Sequence, residues 1–131
     1  MSTVKILSDD QISIAAKNIL DDIKNTRKTE YINNFWRALA NNPETLKRTW
    51  ESMKQIMGEG AIDQKTKEMI YLAVSVAHNC PYCIHSHTVA AKNKGMSEDE
   101  YNELIAIIGM ASETNRLATA LGIPIDDCYL V

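Results

Sequence analysis

The feature that most constrains the fold is a series of helix-length apolar patterns with few residues between them that would break a helix. The chain has only five glycines and three prolines among 131 residues. Its apolar side chains recur every three or four positions, as they do on one face of an α-helix. The sequence therefore predicts an all-α fold, with one compact helical domain of about six helices spanning residues 1–131.

Capping signals divide the chain into the six predicted helices, which cover about residues 8–25, 31–40, 43–57, 63–77, 80–95 and 97 onward. The first is expected to begin at the capping-box pattern Ser8-Asp9-Asp10-Gln11. Helical spacing turns Ala15 inward in the first helix, together with Ile12, Ala16, Ile19, Leu20 and Ile23, and it turns Phe35 inward in the second.

One segment, residues 69–77, is apolar enough to be read in two ways. A nearly continuous apolar run of this length can be a buried strand, and a strand leading into a Cys-x-x-Cys helix start would be thioredoxin-like. No other segment offers the alternating, β-branched pattern that partner strands need. We therefore interpret residues 69–77 as a central helix that is buried nearly all round.

The segment Cys80-Pro81-Tyr82-Cys83, followed by His87, carries the clearest chemical signal. With Cys80 as the N-cap and Pro81 in the first helical position, the side chains of Cys80, Cys83 and His87 fall within an arc of about 60°. Unpaired backbone N–H groups and the helix dipole favour a thiolate at Cys83. A second thiol at Cys80 can condense with an oxidised Cys83 and prevent further oxidation.

Glu68 precedes this pair by twelve residues, near the start of the preceding predicted helix. If the two helices pack as an antiparallel pair, one Glu68 side chain plus a water spans the remaining distance to His87. A proton relay from Cys83 through His87 to Glu68 is then allowed. Spacing alone is equally compatible with Glu68 as a solvated or ion-paired residue.

Charge and composition exclude several classes of function. The net charge is −3, and no cluster of Lys and Arg interleaved with aromatic residues indicates nucleic acid or an acidic membrane as a partner. No segment has the pattern of a signal peptide or a membrane span, so a cytoplasmic protein is expected. In that compartment a close cysteine pair indicates redox chemistry or a metal site. Small-molecule or protein-thiol partners are expected, with no organic cofactor.

The spacing Glu68-x11-Cys80-x2-Cys83-x3-His87 resembles the alkylhydroperoxidase D (AhpD) branch of the carboxymuconolactone decarboxylase superfamily over about residues 35–121. The resemblance implies that Cys83 attacks a hydroperoxide, His87 is its base, and Glu68 lies behind His87 through water. It also implies that Cys80 is the resolving cysteine and that the protein is a homo-oligomer, commonly a trimer or hexamer. The best-known peroxidases of that branch have histidine at the position of Tyr82.

The function predicted from these residues is that of a thiol-dependent peroxidase and disulfide oxidoreductase that reduces small hydroperoxides and is itself reduced by an external dithiol or thiol protein. Two alternatives stay open. In one, Cys80, Cys83 and His87 are ligands of a structural zinc ion in a non-catalytic oligomer, with His78 or Cys128 as the fourth ligand. In the other, the chain is a lactone decarboxylase, although the decarboxylases that name the superfamily lack the cysteine pair.

Overall fold

The computed structural model describes residues 1–130, which contain six α-helices, two short 3₁₀ turns and no β-strand. The helices are α1 (Ile14–Arg27), α2 (Asn34–Leu39), α3 (Pro43–Ile56), α4 (Gln64–Ala77), α5 (Pro81–Asn93) and α6 (Glu98–Leu121). The all-α prediction is confirmed, and residues 69–77 are helical. None of the described helices combines the length and apolar character needed to cross a bilayer. Contacts within the chain divide it into two compact units, Met1–Gly58 and a second beginning at Glu59.

The first unit is built around two tryptophans and the apolar faces of α1, α2 and α3. The rings of Trp36 and Trp50 meet edge to face with centroids 5.6 Å apart, a favourable geometry for aromatic pairs. The other buried residues of this core are Ala16, Leu20, Ile23, Ile32, Ala40 and Leu46. The indole N–H of Trp50 donates to Asp22 (2.6 Å), and this bond and Lys54 lower the pKa of that carboxyl.

Two details of the first unit differ from the sequence prediction. The capping box at Ser8 is present, but it caps the start of a separate 3₁₀ turn, Asp9–Gln11, and not the start of α1. Because Ile12 is extended, α1 begins only after a second N-cap, Ser13, whose hydroxyl accepts from the backbone N–H of Ala16. The side chains of Ala15 and Phe35 are exposed rather than inward, because the buried faces of α1 and α2 are narrower than the apolar patterns suggest.

The second unit is a helical hairpin of α4 and α5 with α6 packed against α4. Its small core contains Leu72, Ala91 and Met96, all buried. The start of α6 is fixed by a full capping box between Ser97 and Glu100. Helices α2 to α6 lie close to the predicted ranges, whereas α1 begins at Ile14 instead of near residue 8.

Helix α4 is not buried nearly all round, as its composition suggested. Its face towards Leu72 and Ser75 is buried, whereas Ile70 and Val74 are about half exposed (49% and 51%). These two residues are four apart and lie on the side of α4 roughly opposite Leu72. Neighbouring helices cover α4 on one side only, which a uniformly apolar sequence cannot indicate.

The turn between α4 and α5 is closed by a Schellman motif that includes the first cysteine. Asn79 has a positive φ of 53°, and its backbone N–H donates to the carbonyl of Val76. The backbone N–H of Cys80 donates to the carbonyl of Ser75 (3.0 Å). Cys80 therefore closes α4 with its backbone, and as the N-cap of α5 it opens the next helix.

Replacing Asn79 tests how much this turn depends on a residue that tolerates left-handed geometry. We expect Asn79→Ala to lower the free energy of unfolding by about 1 kcal/mol, because a Cβ without a compensating polar group is disfavoured at positive φ. Asn79→Gly is the matched control and should stay close to wild type. Urea unfolding of the reduced protein, followed by circular dichroism, measures both; equal stability of the two variants would contradict the prediction.

Candidate active site

The two cysteines lie at the N-terminus of α5, as the sequence predicted. Cys80 is the N-cap, Pro81 occupies the first turn, and the backbone N–H of Cys83 donates to Sγ of Cys80 (3.3 Å). The two sulfurs are joined in a disulfide, with their Cα atoms 5.3 Å apart. Both residues are partly buried. In the reduced protein, a thiolate here would face the unpaired N–H groups of the first helical turn.

His87 lies one turn beyond Cys83 on α5 and contacts Glu68 of α4 directly. The distance from its Nδ1 to Oε2 of Glu68 is 2.7 Å, and the two side chains are only 15% and 14% exposed. The resemblance implies a water between these groups, but at 2.7 Å the two atoms are in direct hydrogen-bond contact and leave no space for one. The sequence is compatible with Glu68 either as a member of a proton relay or as a solvated or ion-paired residue. In the structure its carboxylate contacts His87.

The contact with Glu68 determines which nitrogen of a neutral His87 is available for chemistry. An ionised carboxylate can only accept hydrogen bonds, so Nδ1 of His87 must carry the proton that lies between them. Nε2 then bears the lone pair and is the basic atom of the ring. The arrangement can hold an imidazole in one tautomer with its basic nitrogen free, one helical turn from a thiol.

Tyr71 is a member of this cluster that sequence reasoning missed. Its ring stacks on the imidazole of His87, with centroids 3.5 Å apart and planes inclined by 18°. Tyr71 follows Glu68 by three residues on α4, and residues at that spacing share a helix face. That spacing could have indicated that Tyr71 lies near the site with Glu68. It was overlooked because Tyr71 lies within the apolar run, residues 69–77, that was interpreted as a buried helix.

The other residues considered as zinc ligands do not come together in one cluster. His78 is the C-cap of α4 and is exposed, as are His85 on α5 and Cys128, which is a free thiol. Among residues 1–130, no three His, Cys, Asp or Glu side chains are arranged to hold a metal ion. Tyr82, between the cysteines, is 44% exposed.

Comparison with known proteins gives consistent similarities. The model of the carboxymuconolactone decarboxylase family matches residues 43–126. The crystal structure of an alkylhydroperoxidase AhpD core from Rhodospirillum rubrum is 54% identical, with a TM-score of 0.96 over 100% of this chain and 98% of that one. A Paracoccus denitrificans protein named "Uncharacterized protein 4 in cox locus" is 35% identical over 52 residues, which are 40% of this chain and 47% of that relative. The chain thus matches about half the length of that relative.

Removing the carboxylate tests the energetic role of the contact between His87 and Glu68. We expect Glu68→Ala to lower the free energy of unfolding of the reduced protein by about 1–3 kcal/mol, because it leaves the Nδ1–H of His87 largely buried and unpaired. Glu68→Gln retains an acceptor and should lose less. A double-mutant cycle with His87→Ala, measured by urea unfolding, isolates the pair; additive effects of the two Ala substitutions would contradict a direct interaction.

Proposed function

The chain belongs to the carboxymuconolactone decarboxylase family, in its alkylhydroperoxidase D-like branch, and we propose that it is a thiol-dependent peroxidase and disulfide oxidoreductase. Small hydroperoxides are the proposed substrates. The observation that carries the proposal is the combination of a cysteine pair at a helix N-terminus with a histidine, one turn later, whose Nδ1 contacts a carboxylate. The similarity to the Rhodospirillum rubrum AhpD core supports the same reaction class.

In the first step, Nε2 of His87 accepts the proton of the Cys83 thiol, and Glu68 stabilises the imidazolium that forms. The Cys83 thiolate attacks the distal oxygen of the hydroperoxide, and the O–O bond breaks as the S–O bond forms. The departing alkoxide takes the proton from His87 and leaves as an alcohol. Cys83 is then a sulfenic acid, oxidised by two electrons, and the hydroperoxide has been reduced by two electrons.

In the second step, Cys80 resolves the sulfenic acid. Its sulfur attacks Sγ of Cys83, and the S–O bond breaks as the disulfide forms. The hydroxide leaves as water with the proton of the Cys80 thiol. The proposed product is a Cys80–Cys83 disulfide, and the structure supports this step because the two sulfurs are close enough to be joined.

An external dithiol or thiol protein must then reduce the disulfide by exchange, and no organic cofactor takes part. The same exchange chemistry would allow the pair to act on disulfide substrates. A reducing compartment such as the cytoplasm fits this cycle, because the pair must return to the dithiol after each turnover.

The proposal includes a homo-oligomer, a trimer or a hexamer. In addition to Ile70 and Val74 on α4, one face of α6 carries a line of apolar residues that are at least half exposed: Ile107, Met110, Leu117 and Leu121. Contiguous exposed apolar residues of this kind are typical of surfaces between subunits. This apolar line on α6 supports an assembly through the second unit.

Loss of free thiols on mixing with cumene hydroperoxide tests the peroxidase. The reduced protein is used in a Cys128→Ser background, so that only the pair is counted. We expect two thiols per chain to be lost, more than about tenfold faster than from a small free thiol, because the helix N-terminus and His87 increase the thiolate fraction. Cys83→Ser should abolish the rapid loss.

Cys80→Ser is the matched control in the same background. It should lose one thiol rapidly and accumulate a sulfenic acid at Cys83 that dimedone traps. Rapid loss in Cys83→Ser but not in Cys80→Ser would reverse the two roles. Thiol loss in wild type at the rate of a free thiol would reject the peroxidase, and lactone decarboxylation that survives replacement of both cysteines by serine would support the other activity of the family.

Substitution on α6 tests the assembly. We expect size-exclusion chromatography with light scattering to give the mass of a trimer or hexamer for wild type. Leu117→Glu should shift it to smaller species, because burial of such a side chain is worth about 1.5–3 kcal/mol and a buried unpaired carboxylate costs more. Ser112→Glu, on the other side of α6, is the control that should keep the wild-type mass. A monomeric wild type would refute the oligomer.

A further inference from the structure

We propose that Tyr71 is a positioning residue that holds the imidazole of His87 in the orientation needed for proton transfer with Cys83. The proposal rests on the peroxidase function, since it assigns a role to a residue at the same site. The role assigned to Tyr71 is exerted through His87. Its ring is stacked on the imidazole at 3.5 Å between centroids, with an angle of 18° between the planes.

The contact with Glu68 alone leaves the imidazole free to tilt. One hydrogen bond, from Nδ1 of His87 to Oε2 of Glu68, fixes a single ring atom. A half-turn about the bond to Cβ would break this hydrogen bond, because it exchanges Nδ1 for a carbon, but the ring can still tilt about the line between the two bonded atoms. That tilt would redirect Nε2, which is the atom that must meet the thiol proton.

Stacking on Tyr71 removes the tilt, because a nearly parallel aromatic ring at van der Waals distance lies against one whole face of the imidazole. Glu68 and Tyr71 lie one turn apart on α4, so the in-plane contact and the face contact come from one rigid helix. The two contacts together define both the plane of the ring and its rotation in that plane. Catalytic groups need such double support, because small errors in position cost large factors in rate.

The stack also has an electrostatic consequence for the proton transfer. The face of a tyrosine ring attracts a cation, so Tyr71 favours the imidazolium that His87 becomes when it takes the thiol proton. Glu68 favours the same charged form from the edge of the ring. The thiol proton must meet His87 at the edge that carries Nε2, because the lone pair of that nitrogen lies in the plane of the ring.

Three variants separate positioning from general packing. Tyr71→Leu removes the stacked ring, and Tyr71→Phe keeps the ring but removes the hydroxyl. Tyr101→Leu is the matched control, since Tyr101 is another partly buried tyrosine of the second unit, on α6, whose ring faces Lys92. Circular dichroism and urea unfolding establish that each variant is folded.

The first readout is NMR of the reduced protein labelled with ¹⁵N at histidine, above about pH 8, where an ordinary imidazole is neutral. His87→Asn assigns the signals. In wild type and Tyr71→Phe we expect the ring protons of His87 to be shifted upfield by the stacked ring and its nitrogens to show a proton on Nδ1 alone. In Tyr71→Leu the upfield shift should vanish and the two tautomers should mix. An unshifted His87 in wild type would overturn the proposal without any variant.

The second readout is the rate at which protein thiols are lost with cumene hydroperoxide, and separately with oxidised glutathione, in the Cys128→Ser background. Protein thiols are counted after the small thiols are removed, because exchange with oxidised glutathione releases two thiols for the two that it consumes. Tyr71→Leu should be slower by about tenfold or more, and Tyr71→Phe and Tyr101→Leu should stay within about twofold of wild type. An equal decrease in rate in Tyr71→Leu and Tyr101→Leu would mean that loosened packing, not positioning, sets the rate. A decrease in rate in Tyr71→Phe equal to that in Tyr71→Leu would assign the effect to the hydroxyl.

Failure of the peroxidase and failure of this inference give different results. If wild type reacts with hydroperoxide no faster than a small thiol, the peroxidase is rejected. The NMR signature and the exchange rate with oxidised glutathione then still report on the orientation of His87. If wild type is a rapid peroxidase and Tyr71→Leu keeps both the rate and the single tautomer, Tyr71 has no positioning role.

Discussion

The site depends on the turn at Cys80, where one residue ends a helix and starts the next. Its backbone N–H closes the Schellman motif of α4, and its sulfur accepts from the backbone N–H of Cys83 in the first turn of α5. A connection of three residues, with Asn79 in the left-handed region, leaves little freedom in how the two helices are phased. That phasing sets His87 opposite Glu68. Without it, the cysteines and the histidine would still share a face of α5, but the carboxylate would have no defined partner.

Common side chains acquire a defined chemistry here through their contacts. A carboxylate at 2.7 Å from Nδ1 selects the tautomer of His87, and the low exposure of both groups keeps water from competing for that bond. The ring of Tyr71 covers one face of the imidazole. The cysteine pair lies at the positive end of the α5 dipole. Each of these contacts adjusts the charge or the orientation of a group that the chain itself supplies.

Prediction from sequence succeeded for features that depend on three or four neighbouring residues, such as helix caps. It was weaker where a feature depends on how close caps share a segment or on how helices pack. The starts of α3, α4, α5 and α6 were predicted to within one residue, because capping depends on the local backbone. The capping box at Ser8 was recognised too, but it belongs to a 3₁₀ turn because a second cap follows it closely. The exposed sides of α4 were predicted as buried, since composition does not reveal which faces a neighbouring helix covers.

The sequence by itself determined the six helices, the position of the cysteine pair at a helix N-terminus and the placement of His87 one turn later. All of these follow from helical geometry within a single element. Only the tertiary structure decided that Glu68 contacts His87 directly and that Tyr71 stacks on it, since both contacts join side chains of different helices. Spacing along the chain fixes the face on which a residue lies. The packing of α4 against α5 fixes what that face meets, because it depends on the turn between them and on the core they share.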